Sequence, residues 1–211
     1  MIRINRGDGP VWEDAEYDEE DVIDGIPHLA AVEYRNEGLY KAHLIELLKA
    51  YDWDVETEVS DDGNNGYVDI VAEHPAVGAI GIEVKRTYGH RGRFLAEGIA
   101  QVMNYRSYTY SDHDIEYWAL APGFDATPSG YSGSQFKKTR NMFRQTLAEL
   151  KLGMLSRRRE AIGFGKARYL GIPLREPESV NEEDLDRIND SLAGRKLEVS
   201  RRGPPESEMH D

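Results

Sequence analysis

Two apolar segments, Tyr67–Glu73 and Ala79–Arg86, follow one another with only the turn residues Pro75–Gly78 and their flanks between them. Their β-branched content predicts two strands, and a hairpin is the simplest join. Apolar residues surround the charged ones in the second segment, which predicts a central strand rather than an edge. A strand of that kind needs neighbours in a sheet and helices over its faces. At 211 residues the chain is long enough for one domain with a sizeable core and too short for two ordinary ones.

The flanking segments fit that demand. Tyr40, Leu44, Leu47, Leu48 and Tyr51 recur at helical spacing and predict an amphipathic helix over Glu33–Tyr51. Trp53–Val59 alternates apolar and acidic residues, the pattern of a half-buried strand, and 61–66 is a turn-rich loop. Phe94–Tyr108 reads as a helix burying Leu95, Ile99, Val102 and Met103, and Ile115–Ala121 as a short apolar strand. Beyond the glycine- and serine-rich stretch 123–134, Gln135–Leu155 returns to helical spacing, and Ala161–Ile172 predicts a last strand. The expected class is α/β, a mixed central sheet flanked by helices in the order α-β-β-β-α-β, with an additional C-terminal basic helix and strand.

The hairpin also carries chemistry. Strand alternation puts Glu83 and Lys85 on one face while Ile82 and Val84 point into the core. If the hairpin is symmetric about Ala76, Asp69 falls directly opposite Glu83. Like charges facing each other across a ladder destabilise a sheet, so a sequence that keeps both needs a cation between them. A hard divalent ion answers this, because magnesium takes one or two carboxylates and completes its shell with water, carbonyls and substrate phosphate. Lys85 can then stabilise charge on a phosphate or orient the attacking water, and the implied reaction is metal-assisted phosphodiester hydrolysis.

Asp69 followed after thirteen residues by Glu83-Val84-Lys85 resembles the signature of the PD-(D/E)XK nucleases, the restriction-endonuclease-like fold, with Val68 where the family name has proline. Gln101-Val-Met-Asn-Tyr105, on the helix after the Glu-x-Lys strand, is similar to the QxxxY element of the RecB-type branch. The resemblance spans about residues 33–121. It implies a Mg2+- or Mn2+-dependent deoxyribonuclease in which Asp69, Glu83 and the Val84 carbonyl bind metal, with Glu37 on the preceding helix assisting. Lys85 would position or help deprotonate the nucleophilic water, and Gln101 and Tyr105 would orient Lys85 or the DNA backbone from a stripe distinct from the apolar one. Without a motor of its own, such a domain would act on structured or free DNA ends or work with a helicase partner. The alternatives are a Holliday junction resolvase-like endonuclease, which would be a homodimer, and a DNA-binding module of the same fold without hydrolysis.

Charge distribution locates a DNA surface. The formal charge of −13 is terminal: residues 1–27 hold nine acids and two bases, 176–211 eleven acids and five bases, and 28–175 nineteen of each. Residues 1–27 therefore read as an acidic extension, 28–175 as the nuclease domain and 176–211 as an acidic, flexible tail. Within the middle, 137–175 hold eleven bases against two acids, so Lys137, Arg140, Arg144, Lys151, Arg157, Arg158 and Arg159 are expected to meet phosphates. Arg86, Arg91 and Arg93, just beyond Lys85, would touch the backbone near the cut.

Exclusions narrow the field. Zero cysteines exclude disulfides, thiolate metal sites and cysteine nucleophiles; the six histidines show no zinc spacing, and His74 and His90, which flank the two key strands, read as neutral surface or supporting residues. Gly130–Ser134 misses the serine-hydrolase elbow and Gly163–Lys166 lacks P-loop spacing. No apolar run could span a membrane, and Met1–Pro10 lacks the apolar stretch of a secretion signal, so a cytoplasmic protein is expected.

Overall fold

A computed structural model describes residues 2–3, 22–23, 25–34, 37–85, 91–121, 145–164 and 171–193. Short strands β1 (Ile2–Arg3), β2 (Val22–Ile23), β3 (Ile26–Pro27) and β4 (Val32–Glu33) precede helix α1 (Glu37–Ala50), and β5 (Asp54–Ser60), β6 (Tyr67–His74) and β7 (Gly78–Val84) follow it. Helix α2 (Arg91–Tyr105) leads to β8 (Ile115–Ala121). After a helical turn at 145–150, α3, come β9 (Gly153–Ser156), β10 (Ala161–Gly163), β11 (Gly171–Pro173) and helix α4 (Glu182–Ala193). The chain is an α/β fold built on one open seven-stranded sheet in the order β11-β10-β9-β8-β7-β6-β5. β7, β8 and β9 run parallel, and the remaining neighbours are antiparallel, so the sheet is mixed.

The hairpin has the expected symmetry, with paired residues running from Ile70↔Ile82 to His74↔Gly78. β7 is buried along its length except at Gly78, as a central strand must be. Its two faces serve different layers. Ile80, Ile82 and Val84 pack with Tyr40, Leu44, Leu47 and Leu48 of α1, whereas Ala79 packs with Val102 and Tyr105 of α2 together with Trp118 and Leu120. Each helix therefore covers one face of the sheet.

Several boundaries differ from the expectation. α1 begins at Glu37 rather than Glu33, because Val32–Glu33 pairs in parallel with Ile2–Arg3. It ends where Asp52 takes φ 62° and the Asp52 and Trp53 N–H groups donate back to Lys49 and Leu48 carbonyls, a Schellman stop. β5 forms the sheet edge and is more exposed than its alternation predicts. On α2 the buried face runs through Gly98, Val102 and Tyr105, while Met103, expected inside, is 37% exposed. Tyr105 thus shares the apolar cluster of Val102 instead of standing on a separate stripe.

The segment Gln135–Leu155 is not one helix: residues 135–144 lie outside the described residues, 145–150 are helical, and Gly153–Ser156 is a strand. Lys151 at φ 60° and the Leu152 N–H on the Leu147 carbonyl end α3, and Gly153 then lies so close to Ile162 and Phe164 that an added Cβ would meet them at 2.6 and 2.7 Å. Ala161–Ile172 is two strands, paired through Ile162↔Ile172. Past residue 176, α4 places Ile188 fully buried against the α1-side core. Among the described residues no helix is long and apolar enough to cross a membrane.

Candidate active site

Asp69 sits where the sheet changes hands. Before the ladder reaches it, Ile70 and Ala72 belong to the α1-side core; beyond it, Val68 belongs to the α2-side core. Its neighbour across β5, Glu58, lies between the pairs Thr57↔Ile70 and Val59↔Val68 and has φ 55°. The two strands therefore twist at the Glu58–Asp69 level. On the other side, the β6–β7 ladder ends at Ile70↔Ile82, and the Val84 N–H donates to Asp69 Oδ2 at 2.9 Å. A carboxylate oxygen takes a backbone donor at the point where the ladder ends.

This geometry aligns Glu58, Asp69 and Glu83 at one level of three adjacent strands. Two lysines answer them. Lys41 Nζ of α1 is 3.1 Å from Asp69 Oδ1 and 3.4 Å from Glu58 Oε1, and Lys85 Nζ is 2.5 Å from Glu83 Oε1. Lys85 reaches that position because α2 carries a glycine beneath it: a Cβ on Gly98 would meet Lys85 Cγ at 3.1 Å and Leu120 Cδ2 at 2.9 Å. Mid-helix glycine costs about 1 kcal/mol of helix propensity, and here it makes room for the lysine stem.

Burial sets the electrostatics. Glu83 is 2% exposed, and its pKa is pushed up to about 7 by burial first and by the charge of Asp69 second, with Lys85 acting in the opposite direction. Burial works against the Lys41 ammonium, yet its hydrogen bonds and attraction to Asp69 and Glu58 hold its pKa above the ordinary value. Tyr105 is pushed up to about 12 by burial and then by the Glu83 and Asp69 charges, while a hydrogen bond from Gln101 favours its ionised form. Gln101 and Tyr105 therefore adjoin the carboxylates. Gly66 lets the Tyr105 ring approach the strand, since a Cβ there would sit 3.2 Å from Tyr105 Cε1.

The sequence-derived set divides accordingly. Asp69, Glu83, Lys85, Val84, Gln101 and Tyr105 come together. Glu37 starts α1 one turn before Lys41, but it is Lys41 that reaches Asp69, and no hydrogen bond or ion pair joins Glu37 to Asp69 or Glu83. Lys41, Glu58 and Gly98 were not expected. An isolated glycine in a helical pattern is a readable signal for Gly98; nothing local marks Glu58. Arg86, Lys137, Arg140 and Arg144 lie outside the described residues, as do the side chains of Arg91 and Arg93. Lys151 ends α3, and Arg157–Arg159 form the β9–β10 turn, where Arg157 donates to the Leu29 and Val32 carbonyls and so serves as a structural clamp.

The oxygen donors that the geometry brings together are the carboxylates of Asp69 and Glu83, with the Val84 N–H rather than its carbonyl turned to Asp69, and burial first and the Asp69 charge second raise the pKa of Glu83. That chemistry fits a hard divalent cation retaining water ligands. Among the described residues no group of three or more histidine and acidic side chains gathers to form a fuller cage. Comparison with protein-family models, curated proteins and solved structures returns no match.

Proposed function

We propose that the chain is a Mg2+- or Mn2+-dependent deoxyribonuclease of the restriction-endonuclease-like fold, nearest the RecB-type branch. The observation that carries this reading is the convergence of Asp69, Glu83 and Lys85 at the end of the β6–β7 ladder, with Gln101 and Tyr105 beside them. Asp69, Glu83 and the Val84 carbonyl would hold the cation, which when bound supplies Lewis-acid polarisation of the scissile phosphate and lowers the pKa of attacking water. Lys85, held on Glu83, would point its ammonium toward charge developing on phosphorus. Gln101 orients Tyr105, and the pair would fix the backbone flanking the cut. The tyrosine stays a neutral donor at any physiological pH, because its pKa lies near 12. Free or structured DNA ends, or a helicase partner that presents them, would supply the substrate.

The test is incubation of the purified chain with labelled single-stranded, duplex and four-way DNA, with and without Mg2+. Metal-dependent cleavage that Lys85→Ala abolishes is expected; activity surviving that substitution would move the site elsewhere.

One observation favours a second reading, a non-catalytic DNA-binding module. Lys41 pairs with Asp69 and Lys85 with Glu83, so each carboxylate has a protein cation beside it. DNA binding with no cleavage and no saturable response to Mg2+ or Mn2+ would decide for it.

A further inference from the structure

Asp69 has both carboxylate oxygens engaged. Oδ2 accepts from the Val84 N–H at 2.9 Å, and Oδ1 accepts from the Lys41 ammonium at 3.1 Å. The backbone donor fixes how the carboxylate is turned, so Oδ1 is the oxygen that faces a cation, and that cation is Lys41. Both side chains are only 17% exposed, so the ammonium needs a carboxylate wherever it rests.

A second carboxylate stands within the same reach. Glu58 Oε1 lies 3.4 Å from Lys41 Nζ, on the edge strand β5, and the Glu58 side chain is 69% exposed. Its backbone takes φ 55°, a left-handed conformation that a residue with a side chain adopts only where its surroundings hold it there. In that conformation Glu58 stands at the level of Asp69, between the pairs Thr57↔Ile70 and Val59↔Val68. Lys41 therefore lies between two acceptors in unequal surroundings, one part-buried and oriented by the backbone, the other open to solvent.

A divalent cation changes the balance between them. On Asp69 it brings two positive charges to the carboxylate that the ammonium already uses, and like charges a few ångströms apart and partly shielded from water repel strongly. The ammonium has only to shift toward Glu58, which it already faces, to relieve that repulsion. We propose that Lys41 is a resident counter-ion of Asp69 which a divalent cation displaces toward Glu58, so that Lys41 opposes metal binding and Glu58 lowers that opposition by receiving the ammonium. The proposal rests on the nuclease reading and deepens it, making Lys41 and Glu58 positioning residues of the metal site rather than ligands.

The test is calorimetric titration of the chelator-stripped full chain with MnCl2 at constant ionic strength. Lys41→Met should bind Mn2+ about tenfold more tightly than the parent, because the ion no longer has to break a charge-assisted hydrogen bond. Glu58→Gln should weaken binding several-fold in the parent and have little effect in the Lys41→Met background, where no ammonium remains to be received. Lys49→Met removes the same charge from an exposed pair with Glu46 further along α1 and should leave the affinity unchanged. The charge-retaining Lys41→Arg should stay near the parent and guards against effects of packing. A purely structural role for Lys41 would weaken binding on its loss, not tighten it. Equal or weaker binding by Lys41→Met, a matching gain in Lys49→Met or Lys41→Arg, or a Glu58→Gln loss undiminished in the Lys41→Met background would each overturn the proposal while leaving the nuclease reading in place. Absence of saturable Mn2+ binding in the parent and in Lys41→Met alike would overturn the nuclease reading and the proposal with it.

Discussion

Replacing Glu83 with glutamine should stabilise the metal-free protein at alkaline pH while removing the proposed activity. Burial and the Asp69 charge push the Glu83 carboxyl up to about 7 in the fold, against an ordinary value of 4.5. A carboxyl whose folded pKa is raised contributes stability that is fully present below the unfolded pKa and lost as pH rises through the folded one. Each pKa unit is worth about 1.4 kcal/mol, so the full span is about 3 kcal/mol, most of it lost between pH 5 and pH 8. Glutamine cannot ionise and keeps an acceptor for Lys85. Urea unfolding in chelator at the two pH values measures the effect as the difference between the two chains, in which groups common to both cancel. The stability of Glu83→Gln relative to the parent should rise by about 2–3 kcal/mol from pH 5 to pH 8. Divalent metal at a hundred times its dissociation constant should return about 2.7 kcal/mol to the parent alone. Parallel pH profiles for the two chains would refute the claim that Glu83 is buried against the charge of Asp69.

Further outcomes test neighbouring parts of the structure. Lys41→Met should destabilise the metal-free chain by about 1–3 kcal/mol, between the values for exposed and buried pairs, because Asp69 and Glu58 lose their shared cation; denaturant midpoints in chelator measure the loss, and Mg2+ should restore it. His43 is fully buried with its pKa lowered to about 4, by burial first, then by the Arg157 and His28 charges, against the backbone bond to Pro27. A base with a depressed folded pKa stabilises fully above its unfolded value of 6.5, so about 2–3 kcal/mol should vanish between pH 6.5 and pH 4, and a His43→Gln chain should lack that acid limb in its unfolding profile. Gly153→Ala should cost about 1–3 kcal/mol by overpacking against Ile162 and Phe164, read as a lowered thermal midpoint with an unchanged far-ultraviolet spectrum.

The legible part of the fold was that governed by local periodicity. Ile115–Ala121 was placed to the residue, the hairpin turned about Ala76, and the inward face of α1 followed from Tyr40, Leu44, Leu47 and Leu48. The ends of helices were less readable. Lys151 and Asp52 adopt left-handed backbone without being glycine, so the chain stops where residue type alone gives no instruction. Met103 and Tyr105 exchanged expected roles because Gly98 lets α2 settle onto Lys85 and Leu120, rotating its buried face. His43, which helical spacing did not mark as part of the inward face of α1, is fully buried, held by the Pro27 carbonyl at 2.7 Å and by the Tyr34 hydroxyl.

By itself the sequence determined which residues could meet in the hairpin, since the two-residue period of a strand and a symmetric turn put Asp69 opposite Glu83 with no reference to the rest of the chain. Only the tertiary structure decided what surrounds them. Lys41 lies 28 residues from Asp69, and Glu58 stands on a neighbouring strand with φ 55°, so neither partnership leaves a local trace. Ile188 likewise seals the α1-side core from a segment whose composition reads as an acidic tail. Periodicity states which face of an element avoids water; the charge state of a buried carboxylate depends on what distant elements bring to within a few ångströms, and that is settled by packing alone.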